Sequence, residues 1–216
     1  MQGVTINSSK HDEKEGVVMN FKSIKISSAA IFILSILSGC GTMDQRADLT
    51  YEKIVNAKGG SGDIYMAKPL ETHNAARKPS GVLMLGMVKE TDRDVVTGDS
   101  ISDWVMLAML QELYTAGYNV KTVKGLPDNV SKGIAVSVAA ISADQDSDFV
   151  AIKTVSNMKI SIQLWKDGKN VKSLTFDAGN EEKGVDRSAE PISKSLQKTL
   201  QNIMKQLVPE IVRVLQ

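Results

Sequence analysis

The chain has 216 residues, 42% apolar and 24% charged, enough for one globular core and too apolar for general disorder. One cysteine excludes a disulfide framework and a Cys-rich zinc module, and two histidines leave little material for a metal site. Lys and Arg number 26 against 25 Asp and Glu, so the net charge of +1 gives no electrostatic drive onto nucleic acid.

The first signal in chain order begins at Met19. In MNFKSIKISSAAIFILSILSGC, Lys22 and Lys25 precede an apolar run from Ala29 to Leu37 and two small residues, the pattern of an export signal peptide. The run is too short for a bilayer core, which takes about 20 apolar residues. Residues 1–18 place Asp12, Glu13 and Glu15 ahead of the basic segment, so translation is expected to start at Met19. Residues 1–39 then form an extension and a leader that is removed.

Leu37-Ser38-Gly39-Cys40 resembles the lipobox of bacterial lipoproteins. That resemblance implies a diacylglyceryl group on the Cys40 thiol, cleavage before it and acylation of the new amine. Gly41 stands where enterobacterial lipoproteins retained in the inner membrane carry Asp, which implies an outer-membrane address facing the periplasm. Loss of residues 1–39 leaves 177 residues with 22 charges of each sign, so attachment must come from the acyl chains.

Residues 40–61 are polar and end in Gly59-Gly60-Ser61-Gly62, a composition that predicts a flexible tether of roughly 25 Å. The glycine cluster lacks the Lys-Ser/Thr of a P-loop. Residues 62–216 are expected to form one domain. A strand is predicted at Ile64–Ala67, and the continuous apolarity of Val82–Val88 predicts a central strand covered on both faces. The loop ETDRDVVTGD leads to a helix capped by Ser100, with Asp103 three residues on and Gly117 at its end. Val105, Met106, Met109, Leu110, Leu113 and Tyr114 give that helix a wide apolar face, with Gln111, Glu112 and Thr115 on a narrow polar side.

Tyr118–Val123 reads as a returning strand and Leu126-Pro127-Asp128-Asn129 as a turn. Ile134, Val136, Val138 and Ala140 alternate, and Phe149–Val155 forms another β-rich run beyond an acidic loop around Asp146. Met158, Ile160, Ile162 and Leu164 alternate with Lys159, Ser161, Gln163 and Trp165, the clearest strand of the chain. Asp167-Gly168 predicts a tight hairpin turn, after which Leu174 and Phe176 continue the inward face. Beyond a polar stretch, GNEEKGVDRS, a last helix carries Pro191 in its first turn and a stripe of Leu196, Leu200, Ile203, Met204, Leu207 and Ile211. Pro209 is expected to kink it and leave Val212 and Leu215 as a terminal hook. Together these elements predict an α+β two-layer sandwich, a mainly antiparallel sheet with two helices packed on one face.

Chemistry has little material. His73 stands alone once the leader is gone. Asp144, Asp146 and Asp148 have the spacing of the first EF-hand ligands, yet Phe149 and Val155 occupy the positions of the required Gly and Glu. Asp92, Asp94 and Asp99 sit before the first helix, where negative charge favours its N-terminus. Met84, Met87, Met106, Met109, Met158 and Met204 fall on expected core faces. Trp104 and Trp165 fall on expected polar sides and are the candidate partner contacts.

The lipobox, the helix SDWVMLAMLQELYTAGYNV, the segment VAIKTVSNMKISIQLWKDGKNVKSLTF and the helix starting SKSLQKTLQNIMKQL together resemble the YajG-like family of uncharacterised outer-membrane lipoproteins. The resemblance implies a non-enzymatic, lipid-anchored periplasmic binding or assembly module. Its site residue is Cys40, and it carries no catalytic residue, metal or cofactor. The partner is expected to be an envelope protein or a second copy. The alternative is an accessory subunit of lipid or lipopolysaccharide transport, with an apolar groove between helix and sheet.

Overall fold

The computed structural model describes residues 43–71, 75–78, 83–147 and 151–216. Nine strands and two helices follow in the order β1 (Gln45–Arg46), β2 (Asp63–Ala67), β3 (Leu70–Glu71), β4 (Leu83–Val88), β5 (Arg93–Thr97), α1 (Ile101–Ala116), β6 (Asn119–Val123), β7 (Lys132–Ser147), β8 (Ile152–Lys166), β9 (Lys169–Gly184) and α2 (Glu190–Leu215).

The organising element is β7, 16 residues long and so roughly 53 Å from end to end. Along one edge it pairs antiparallel with β8, which pairs antiparallel with β9. Its other edge is shared in succession by β2, β3 and β4, all parallel to it. Beyond them lie β6, parallel to β2, and β5 and β1 outside β4. Both helices pack on one face of this sheet, α2 chiefly over β8 and β9. The predicted α+β sandwich is therefore the observed one.

Side-chain alternation explains the burial. On β8, Met158, Ile160, Ile162 and Leu164 are at most 1% exposed and face the helices, while Lys159, Ser161 and Gln163 face solvent. On β7 the alternation changes phase: Ile134, Val136 and Val138 point inward, then a bulge between Val138 and Ala140 turns Ile141 and Ala143 inward instead. Ala140, expected on the inner face, loses that place because one extra residue reverses every later side chain. Asp167 and Gly168 both take positive φ, as the tight turn requires. Ser100 Oγ accepts the Asp103 N–H at 3.2 Å, and Gly117 closes α1 at φ 109°.

Several expectations give way. The loop ETDRDVVTGD contains β5, whose Val95 and Val96 are buried. The acidic loop around Asp146 is the end of β7, and GNEEKG completes β9, because cross-strand pairs carry their charges: Lys153 bonds Glu181 at 2.8 Å. Helix α2 runs unbroken through Pro209. The carbonyl that loses its partner there belongs to exposed Lys205. One face of β4 is open, with Met84 37% and Met87 42% exposed.

The predicted tether is the largest correction. Residues 43–62 form a strap across the helix layer. Gln45–Arg46 pairs with Val95–Val96, Ala47 is fully buried, and Val55 is 7% exposed. Asp48 N–H donates to Ser193 Oγ, Leu49 N–H to Asp99 Oδ2, and Gln201 Nε2 to the Glu52 carbonyl. Gly60 packs so closely on Tyr118 that a side chain there would meet its ring. Gly59 and Gly60 thus seat the strap against α1 and the end of α2 instead of loosening it.

Candidate functional site

Cys40 and His73 lie outside the described residues. Trp104 is inside the protein, 6% exposed, and its Nε1–H donates to the Thr50 carbonyl at 2.8 Å. Its expected place on a polar side fails because the strap crosses that side of α1 and makes it core. Glu112, also assigned to the polar side, is 1% exposed for the same reason. Its Oε1 accepts from the Tyr51 hydroxyl at 2.5 Å and from the Ile54 and Val55 N–H groups at 2.8 and 3.2 Å. Burial, and then the Glu112 acceptor, raise the Tyr51 hydroxyl pKa well above its ordinary value. Tyr114, expected in the core, is instead 75% exposed beside half-exposed Leu107.

Trp165 stands on the solvent face of the sheet, directly across from Gly133. The missing side chain at Gly133 admits the loop before β7: a Cβ there would lie 3.1 Å from Leu126 Cδ1 and from Val130 Cγ1. The β8–β9 turn fastens this loop, with Gly168 N–H donating to the Val130 carbonyl at 2.8 Å and Asp167 N–H to Ser131 at 3.0 Å. Between loop and sheet, Trp165, Leu126, Pro127, Ala135 and Ala67 wall a groove of about 530 Å³, joined by Lys68, Lys124 and Asp128.

Lys68 is held by Asp103 at 3.1 Å, and that bond, followed by the one to Ser100, lowers the Asp103 carboxyl pKa. The Trp165 Nε1–H is buried and has no acceptor among the described residues. An indole face and a Leu-Pro wall suit an apolar segment.

The acidic positions do not converge. Asp144 Oδ1 accepts the Met87 N–H, Asp146 pairs with Lys89, Asp94 pairs with Lys78, and Asp99 holds the strap. Asp148 is outside the described residues. Among the described residues no group of three or more His, Cys, Asp or Glu is placed to hold a metal ion.

A structure of a Xanthomonas campestris protein of the DUF330 family superimposes on 80% of this chain and 95% of its own, with a TM-score of 0.54 and 13% identity. The chain shares that protein's fold. Two further matches are a Helicobacter pylori homologue of a neuraminyllactose-binding hemagglutinin and a Neisseria meningitidis lipoprotein. The first has 14% identity, a TM-score of 0.45 and coverage of 78% and 97%. The second has 13% identity, a TM-score of 0.34 and coverage of 70% and 99%. No family model and no curated protein matches the sequence.

Proposed function

We propose that the protein is a non-enzymatic lipoprotein of the cell envelope, related to the YajG-like family. Acyl chains on Cys40 carry it on the periplasmic side of the outer membrane, where its Trp165 groove binds an apolar segment of an envelope protein. The observation that carries the binding role is that groove: an aromatic and a Leu-Pro wall left open beside the polar Lys159, Ser161 and Gln163 of the same sheet face. The anchor rests on the lipobox before Cys40. The alternative, a lipid carrier with a groove between helix and sheet, loses its space, since Leu196, Leu200, Ile203 and Leu207 of α2 fill that layer with no exposure.

The test places a photo-crosslinking amino acid at Leu126 and, as a control, at exposed Lys153 on the same face at the far end of β8. A partner captured from membranes at Leu126 alone, and lost with Trp165→Ala, supports the reading. Equal capture at both positions, or a lipid co-purifying with the protein in native mass spectrometry, refutes it.

A further inference from the structure

We infer that the solvent face of the β1–β5–β4 sheet rests on the bilayer that holds the anchor, with Met43, Met84 and Met87 pressed into the headgroup layer. This rests on the acylation of Cys40 proposed above and adds the orientation of the domain.

Reach limits where the domain can sit. The fold begins at Asp44, whose carboxylate bonds Lys78 at 2.8 Å, and β1 follows at once. Asp44 is four residues past Cys40, and four residues span at most about 14 Å even when fully extended. A bilayer about 40–45 Å thick around a core of about 30 Å leaves roughly 6 Å of polar layer on each side. With acyl chains holding Cys40 at the inner border of that layer, Asp44 stands no more than about 8 Å above it. That gap is narrower than a helix, whose diameter is about 10–12 Å. No second layer of protein fits between this end of the domain and the lipid.

The surface presented there is suited to lipid. Met84 pairs with Val96 and Met87 with Asp94, so both methionines share the face on which Lys78 bridges Asp44 and Asp94. Met43 is 81% exposed, Met84 37% and Met87 42%, three of the seven large apolar side chains left open among the described residues. At the centre of this face Lys78 lies 2.8 Å from Asp44 and 2.6 Å from Asp94, and Arg46, across Val96 from Met84, supplies a second cation beside those two carboxylates. Flexible thioethers adapt to an irregular headgroup surface.

Methionine oxidation reads the orientation directly. The acylated protein, its Cys40 peptide checked by mass, is reconstituted into phosphatidylethanolamine–phosphatidylglycerol vesicles. It is then treated with hydrogen peroxide beside the Cys40→Ser chain free in solution. Met43, Met84 and Met87 are expected to form sulfoxide about fivefold more slowly on the vesicle, while half-buried Met106 of α1 keeps its rate. Acylated protein whose Met84 and Met87 oxidise at the free rate overturns the orientation and leaves the anchor standing. A Cys40 peptide without an acyl mass overturns both.

Discussion

Glu112→Ala should release the strap. The carboxylate collects the Tyr51 hydroxyl and the Ile54 and Val55 N–H groups at a site that is 1% exposed. A methyl group leaves all three donors without an acceptor, and each orphaned buried donor costs about 1–3 kcal/mol. Half-buried Tyr51 can turn toward water, so the two backbone donors dominate and the loss comes to about 4 kcal/mol. Against a total stability of about 5–15 kcal/mol, that is about a quarter or more of what holds the domain. At about 2–4 °C per kcal/mol for a domain of this size, the melting temperature should fall by about 8–16 °C. Glu112→Gln keeps one oxygen for Tyr51 and Ile54 and turns an NH₂ toward Val55, so it should fall between wild type and Ala.

Two assays separate local from global loss. Thermal unfolding by circular dichroism gives the total. Hydrogen exchange at the Ile54 and Val55 amides, and tryptic cleavage after Lys53 and Lys58, report the strap alone. An Ala variant within about 1 kcal/mol of wild type, with those amides still protected, would refute the assignment of Glu112 as the strap's fastening.

Gly86→Ala should cost at least about 3 kcal/mol by denaturant titration, because its Cβ would be driven into the Ala143 carbonyl, backbone that cannot step aside. Ser156 Oγ lies 2.8 Å from Ser195 Oγ and 2.6 Å from Thr199 Oγ1 in the buried layer under α2, so Ser156→Val should cost about 1–3 kcal/mol in the same measurement. Glu210 links α2 to β9 through Lys172 at 2.5 Å and bonds Arg213 at 2.6 Å. Those bonds, Arg213's first, lower its pKa from 4.5 to about 2. A lowered carboxyl pKa stabilises the fold above pH 4.5 and ceases to as pH falls toward 2. Glu210→Gln should therefore cost about 1 kcal/mol at neutral pH and nothing near pH 2, as pH-resolved thermal melts would show.

Local rules carried the elements whose signals are local. Ser100, Gly117, Asp167-Gly168 and the alternation of Met158 to Leu164 each state their conformation within a few residues, and each is observed. What could not be read depends on distant chain. A polar composition between Cys40 and Gly62 looks like a tether until Asp99, just before α1, and Gln201, in the middle of α2, supply an acceptor and a donor for it. For the same reason Trp104 and Glu112 sat on a side of α1 that periodicity calls polar and the strap covers. The bulge near Ala139 has no glycine to announce it. Of the groove, Trp165 and the turn at Leu126-Pro127 were visible as separate features. Their meeting depends on the Gly133–Trp165 register, which only the paired strands reveal.

The strap also bears on the order of folding. Gln216 donates to the Gly59 carbonyl across 157 residues, and Gln201 to Glu52 across 149. Contacts this remote in sequence close slowly and come late, after the chain entropy of the intervening loop has been lost. A chain made N-terminus first finds Asp99 and Glu112 for Leu49, Tyr51, Ile54 and Val55 early, but holds Asp48, Glu52 and Gly59 without their α2 partners until its final helix arrives. Truncation of even the last turn of α2 would remove the donor that meets the Gly59 carbonyl at the far end of the strap. The vulnerable interval for this protein is therefore the whole of its synthesis, and a holding chaperone has its natural grip on the strap, residues 43–62.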